Sequence, residues 1–201
     1  VTSFTAFLDA CVLVPIAPCD TLLRMADCGA FRPLWSEQVE EEALRALCEI
    51  HPSIDPSRFH SRFRNMNEAF EDARVAGWEP LVDGLELPDP DDRHVLAAAL
   101  RGRADVIVTE NIRDFPATVL SPLGLEAVRL DEFLLTQFDL NVPATVQIVS
   151  DQARAMGRPP VTESQLLSRL ARSGAPRFAD AVESVLADSQ ASDKARGGSG
   201  A

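Results

Sequence analysis

Residues 89–115, DPDDRHVLAAALRGRADVIVTENIRDF, decide how this chain is read. Three carboxylates, Asp89, Asp91 and Asp92, open the stretch. The run that follows carries Val95, Leu96, Ala98, Ala99 and Leu100, and predicts a helix over 92–101 with a surface small enough to pack closely on a sheet. Asp91 or Asp92 is expected to cap that helix, because a carboxylate accepts the amide hydrogens left over at a helix start. Gly102 is expected to end it. Ala104 to Val108 is short and β-branched, as suits a buried strand. A polar turn, Thr109-Glu110-Asn111, comes next, with Asp114 and Phe115 just beyond. Acids therefore stand at a helix start and again after a strand end. Ligands of open α/β sheets bind at the carboxyl ends of the strands, so the question is which other acids reach that edge.

Toward the N-terminus, Phe4–Leu8 reads as a buried strand that ends at Asp9. Residues 10–30 hold a helical pattern closed by Gly29, and 31–35 a short link or strand. Ser36 is placed to cap a helix whose Val39, Ala43, Ala46 and Leu47 share one face, with early acids suiting the positive end of the dipole. Glu42 lies beside that face, whereas Glu37, Glu40 and Glu41 are expected to be solvated or partly so. A further helix over 57–76 sets Phe59, Phe63, Met66 and Phe70 in an apolar stripe, with Arg58, Arg62 and Arg64 on its other faces. Trp78–Leu81 and Val128–Leu130 are strand candidates, and Asp131-Glu132 can start a helix. Strands alternating with helices predict an α/β fold, a parallel sheet flanked by helices, over 1–135. From 136 the β-branched runs vanish. Helices over 143–156, 162–171 (capped by Thr162) and 176–187 form an all-helical extension, 136–187, and 188–201 is expected to be a disordered tail.

The 201 residues suffice for one core and a small appendage. No apolar run approaches the roughly 20 residues of a membrane span, and VTSFTAFLDACVLVP has no basic leader, so it reads as a strand rather than a signal peptide. Cys11, Cys19, Cys28 and Cys48 make no C-x-x-C pair and are read as reduced thiols of a cytoplasmic protein. The net charge is −12, and residues 1–135 account for it with 24 acids against 12 Lys/Arg, while 136–201 balance at 7 each. So acidic a chain does not hold nucleic acid by bulk electrostatics. Net charge alone is explained by solubility, but acids gathered in one part are also what a divalent-cation site requires.

Asp9, Glu42, Asp92, and Asn111 with Asp114 all fall at element ends or on a buried edge. Each alone has a plain structural reading, as a cap, a turn residue or a solvated helix face. Together they suggest a site, because converging carboxylates raise one another's pKa unless a cation is present. Mg²⁺ and Mn²⁺ prefer such oxygen ligands, and can activate water and stabilise a phosphodiester transition state without a Ser, Cys or Lys nucleophile.

FLDACVL at 7–13 resembles the first motif of PIN-domain nucleases, with Asp9 as its acid. WSEQVEEE at 35–42 resembles the second, where an acid six places after the Ser selects Glu42. DPDDRHVLAAAL and DVIVTENIRDF resemble the third and fourth, selecting Asp92, Asn111 and, as the D-F acid, Asp114. The resemblance covers roughly 4–135 and is closest to VapC-type toxins with a helical C-terminal extension. It implies a metal-dependent endoribonuclease using Mg²⁺ or Mn²⁺ and acting on tRNA, rRNA or mRNA. It also implies a VapB-like antitoxin partner and a homodimer. Asp9 and Asp92 are then direct metal ligands, Glu42 binds metal through water or positions the attacking water, and Asn111 and Asp114 complete the set. Thr109 is placed on the substrate side, orienting a water or an acid. Arg58, Arg62, Arg93 and Arg113 are candidates for phosphate contact.

Two positions depart from the family pattern. Cys11 stands where relatives often carry Asn, which predicts a missing hydrogen bond beside Asp9. Asn111 is neutral where an acid can stand, which weakens a second metal position unless Asp114 substitutes. These departures and the acidic charge motivate an alternative, a PIN fold without turnover that binds RNA or a partner. A haloacid-dehalogenase-like phosphatase wants a second Asp where Cys11 stands. A receiver domain wants a Lys late in its core, and the one Lys of the chain is Lys194 in the tail.

Overall fold

The computed structural model describes residues 4–157 and 160–197, with side chains described as far as 189. The elements are β1 (Thr5–Leu8), α1 (Ala10–Leu13), α2 (Ile16–Asp27), β2 (Arg32–Ser36), α3 (Glu37–Ile50), α4 (Pro56–Ala69), β3 (Arg74–Val75), α5 (Arg93–Gly102), β4 (Val106–Val108), α6 (Ala117–Leu120), β5 (Glu126–Val128), α7 (Leu130–Leu140), α8 (Val142–Ala155), α9 (Glu163–Arg172) and α10 (Pro176–Gly197). The five strands form a wholly parallel sheet in the order β3-β2-β1-β4-β5. Chain order runs outward from β1 in one direction through β2 and β3, then returns to β1's other side for β4 and β5. The carboxyl ends of β1 and β4 thus flank a topological switch point, where α/β sheets open a crevice.

Local chemistry explains why these residues form these elements. Phe7 and Leu8 in β1 and Val106, Ile107 and Val108 in β4 are buried, as expected of parallel strands covered on both faces. Ser36 caps α3, accepting a hydrogen bond from the Val39 amide at 3.2 Å. Thr162 and Gln165 cap α9 reciprocally. No helix among the described residues is long and apolar enough to cross a membrane.

Several boundaries differ from expectation. The helix expected over 10–30 is broken at Pro15 into α1 and α2, since proline lacks the amide a continuous helix would use there. The helix expected to reach Ala76 stops at Ala69. Phe70 packs edge-on against Trp35, with ring centroids 6.1 Å apart, and the chain then leaves the helix so that Arg74–Val75 can pair with β2. Trp78–Leu81, expected as a strand, is instead the entry to a 3-10 turn at Glu79–Gly84. The division expected after 135 falls inside α7. The tail expected to be disordered from 188 is helical as far as Gly197, in keeping with its mostly helix-tolerant residues, and 198–201 lie outside the described residues.

Gly102 does something other than end its helix. The terminating residue is Arg103, in the left-handed region at φ 55°. A Cβ on Gly102 would lie 2.5 Å from Leu34 Cδ1 and 2.9 Å from Val75 Cγ2. Leu34 is buried and has little freedom to move. Gly102→Ala is therefore expected to cost about 1–3 kcal/mol by overpacking, more than the roughly 0.5–1 kcal/mol that Ala gains over Gly in a helix interior. Chemical denaturation would show it, and an unchanged midpoint would refute the packing role.

Candidate active site

Asp9 follows β1 directly and is buried. Its Oδ1 accepts the Ala10 amide at 2.7 Å and so caps α1. Its Oδ2 accepts the Thr109 hydroxyl at 2.6 Å and the Cys11 thiol at 3.2 Å. Thr109, directly after β4, also takes the Asn111 amide on its hydroxyl at 3.0 Å. The loops following the two central strands are thereby locked together around one carboxylate.

Cys11 corrects the expectation of a missing hydrogen bond. Its sulfur donates to Asp9 and accepts the Glu110 amide at 3.2 Å. Burial first, then the charge of Asp9, pushes the thiol up to about 12, so it stays protonated and remains a donor. Glu110 faces the other way, where its carboxylate pairs with Arg129 at 2.9 Å and accepts the Leu130 amide at the start of α7 at 3.2 Å.

Asp92 directly precedes α5, but its side chain does not cap the helix. Its backbone is already helical, at φ −82° and ψ −4°, and its side chain makes no capping bond. The capping role one turn earlier belongs to Asp89, which accepts the Asp91 amide at 2.9 Å. The Asp92 carboxylate is left free and crowded. Partial burial, then the charges of Asp9, Asp114 and Asp89, push it up to about 6, against a smaller opposing pull from His94. Asp9, Asp92 and Asp114 thus share one electrostatic environment. Asn111 is exposed, with no capping bond from its side chain.

Glu42 stands on α3 apart from that trio, linked to it by a residue that sequence reasoning missed. His94 Nε2 lies 3.0 Å from Glu42 Oε1, and Gln38 donates to the same oxygen at 3.3 Å. Burial raises the Glu42 carboxyl, but the hydrogen bonds and charges of His94, Gln38 and Arg45 together leave it below the usual range.

The residues expected on the substrate side divide. Thr109 has no exposed surface, so it cannot touch a polymer and serves to hold Asp9. Arg62 is committed to the fold, its guanidinium donating to the Leu13 and Val14 carbonyls at the end of α1. With exposed Arg58 it lines the groove between α2 and α4 beside Met66 and Met156. Arg113 is exposed beside Asp114. Arg93 is half-buried, and its Nε has no partner among the described residues. A groove of about 620 Å³ between α3 and α4 is lined by Glu37, Glu40, Arg64 and Arg74 rather than by Asp9, Asp92 or Asp114.

Among the described residues, no three His, Cys, Asp or Glu side chains stand close enough to hold a metal directly between them. The donor chemistry still fits a hard divalent cation. Asp92 is an uncapped carboxylate raised first by burial and then by neighbouring negative charge, the second of which a cation relieves, and Mg²⁺ keeps several waters rather than needing an all-protein cage.

The profile of the family described as PIN domain matches residues 5–113. The profile described as VapC50 C-terminal domain matches residues 130–184. A Mycobacterium tuberculosis (strain ATCC 25618 / H37Rv) protein named "Putative ribonuclease VapC50" is 46% identical over 88 residues, covering 44% of this chain and 52% of that protein. The matched stretch thus spans about half the length of that relative. No solved structure matches the chain.

Proposed function

The chain belongs to the PIN-domain family, and from that premise we propose that it is a metal-dependent endoribonuclease hydrolysing RNA phosphodiester bonds, the toxin of a type II toxin–antitoxin pair. The observation that carries the reading is Asp9, buried at the end of β1 and hydrogen-bonded to Thr109 at the end of β4, with burial and the charges of Asp9 and Asp114 raising Asp92 nearby. Likeness to the protein named "Putative ribonuclease VapC50" supports RNA as the substrate, and the resemblance of the motifs to VapC-type toxins is the ground for a VapB-like antitoxin as the partner and for a homodimer. Residues 1–135 make up the nuclease domain in this reading, and the helices that follow form the extension.

Asp9 and Asp92 are the direct ligands for Mg²⁺ or Mn²⁺, with Asp114 beside them and Glu42 acting through water. The cation, when bound, lowers the pKa of a nearby water and offsets the charge of the phosphodiester transition state. Thr109 and Cys11 fix the direction of the Asp9 carboxylate before anything binds. Arg113, exposed beside Asp114, and Arg93 are assigned to phosphate contact in this reading. The alternative of a PIN fold without turnover loses one of its three motives, because Cys11 keeps Asp9 hydrogen-bonded.

Purified protein should cut total RNA in Mn²⁺ or Mg²⁺ and stop in chelator, and Asp9→Asn should abolish the cut. Cleavage that persists in chelator would reject the metal dependence. Growth arrest on expression, relieved by a neighbouring gene product, tests the toxin role, and unimpaired growth counts against it. Thr109→Val removes the shortest bond to Asp9. Loss of a residue that orients a metal-binding carboxylate typically costs roughly 10–100-fold in activity or metal affinity, so cleavage should fall by that factor. A Thr109→Val protein as active as the parent would show that Asp9 needs no such support.

A further inference from the structure

We infer that His94 is a positioning residue for Glu42, a role that rests on the nuclease reading and extends it to a side chain with no part in the acid cluster itself. His94 is the second residue of α5, just past Asp92, and 6% exposed. Its Nε2 meets Glu42 Oε1 at 3.0 Å, bridging α5 to α3. The Trp78 ring covers it, with centroids 5.9 Å apart and planes at 50°. Both bonds to the Glu42 carboxylate, from His94 and from Gln38, fall on Oε1. Neither bond takes Oε2, which in this role is the oxygen assigned to a water or a cation.

The arrangement is costly unless it serves something. His94 Nδ1 is buried with no hydrogen-bond partner among the described residues, and such a group destabilises a fold. An apolar side chain under Trp78 would avoid the cost. What the imidazole adds is a rigid donor that reaches from the helix carrying Asp92 to the helix carrying Glu42. Turning of α3 or of the Glu42 side chain is thus tied to the loop that holds Asp92.

The test compares His94→Leu, which keeps bulk and removes the donor, with His94→Gln, whose amide nitrogen can take the place of Nε2. Two readouts are needed: RNA cleavage as a function of Mn²⁺, and the rise in melting temperature that Mn²⁺ produces without RNA. His94→Leu should cut roughly 10–100-fold more slowly, the range seen when the support of a metal-binding side chain is lost. It should also need more Mn²⁺ for half-maximal effect, and His94→Gln should recover most of both. Combined with Glu42→Gln, His94→Leu should add little, because the two act as one unit. Parent-like cleavage by His94→Leu, full additivity with Glu42→Gln, or no advantage of Gln over Leu would overturn the inference. If the parent cuts no RNA, the nuclease reading fails, and the Mn²⁺-induced melting shift alone judges His94. A parent that neither cuts RNA nor responds to Mn²⁺ overturns both.

Discussion

At pH 8 in chelator, the Asp92→Asn protein should melt above the parent while cutting no RNA. The Asp92 carboxyl is pushed up to about 6 from an ordinary 3.8 by partial burial and by Asp9, Asp114 and Asp89. Between those two values the native state keeps a proton that the unfolded chain has already lost. The resulting stability is fully present below the unfolded value and is lost as pH rises through the folded one, so the parent carries its full penalty above about pH 6. Asparagine resembles the protonated acid and escapes the penalty. Two pKa units correspond to about 2.7 kcal/mol. Asp92 is partly exposed, and discounting for solvent screening leaves about 1–1.5 kcal/mol. For a chain of this length that is a rise of roughly 2–6 °C.

Saturating Mg²⁺ or Mn²⁺ should reverse the order. A ligand at 100 times its dissociation constant stabilises by about 2.7 kcal/mol, a gain the parent takes and Asp92→Asn does not. Equal melting temperatures in chelator would show that the acids do not crowd one another. Equal responses to metal would show that Asp92 is not a ligand. Below about pH 4 the chelator difference should vanish, because the parent's Asp92 is then protonated in both states.

Asp92 also marks how far the sequence could be read. Its place between a loop and an Ala-rich helix was legible from pattern, and so was its likeness to a PIN motif. Its freedom from capping was not, because whether a carboxylate caps depends on backbone angles at one residue, and Asp89 could do the job as well. Glu42 was singled out as a candidate by its edge position on α3 and by the resemblance to a PIN motif that counts six places from Ser36. His94 was not, because its meaning comes from a contact between two helices far apart in the chain. Sequence position put it beside Asp92 but gave no hint of Glu42. At Cys11, residue identity suggested a lost hydrogen bond, while the structure places its thiol between Asp9 and Glu110 and keeps one. A side chain's type fixes what it can donate, and only its surroundings fix what it does donate.

The same limit governs the C-terminal helices, where truncation should have the largest effect on stability. Composition changes at 136, but packing does not. One continuous core runs from Ala6 to Val182. Gln152 has no exposed surface, accepts the Thr21 hydroxyl of α2 at 2.7 Å and donates to the Ala17 carbonyl at 2.9 Å. Phe138 of α7 meets Phe178 of α10 with ring centroids 6.4 Å apart. Asp131 accepts the Phe178 amide at 2.9 Å near the start of α10. A chain ending at Leu140 would keep α7 but strip the cover from Leu134, Phe138 and the α8-facing side of α2. Each large apolar side chain left uncovered costs about 1.5–3 kcal/mol, so three or four account for much of the roughly 5–15 kcal/mol that holds a domain together. The 1–140 chain is therefore expected to lose its cooperative melting transition and to aggregate. It should also lose metal-dependent cleavage, because Glu110 would then be tied to an α7 held by little more than the Phe133 contact with Phe31. A soluble 1–140 chain that melts cooperatively and cuts RNA would show that the helices after α7 are an appendage. Cooperative unfolding of the whole chain in one transition, with no separate event for the extension, is what the shared core requires.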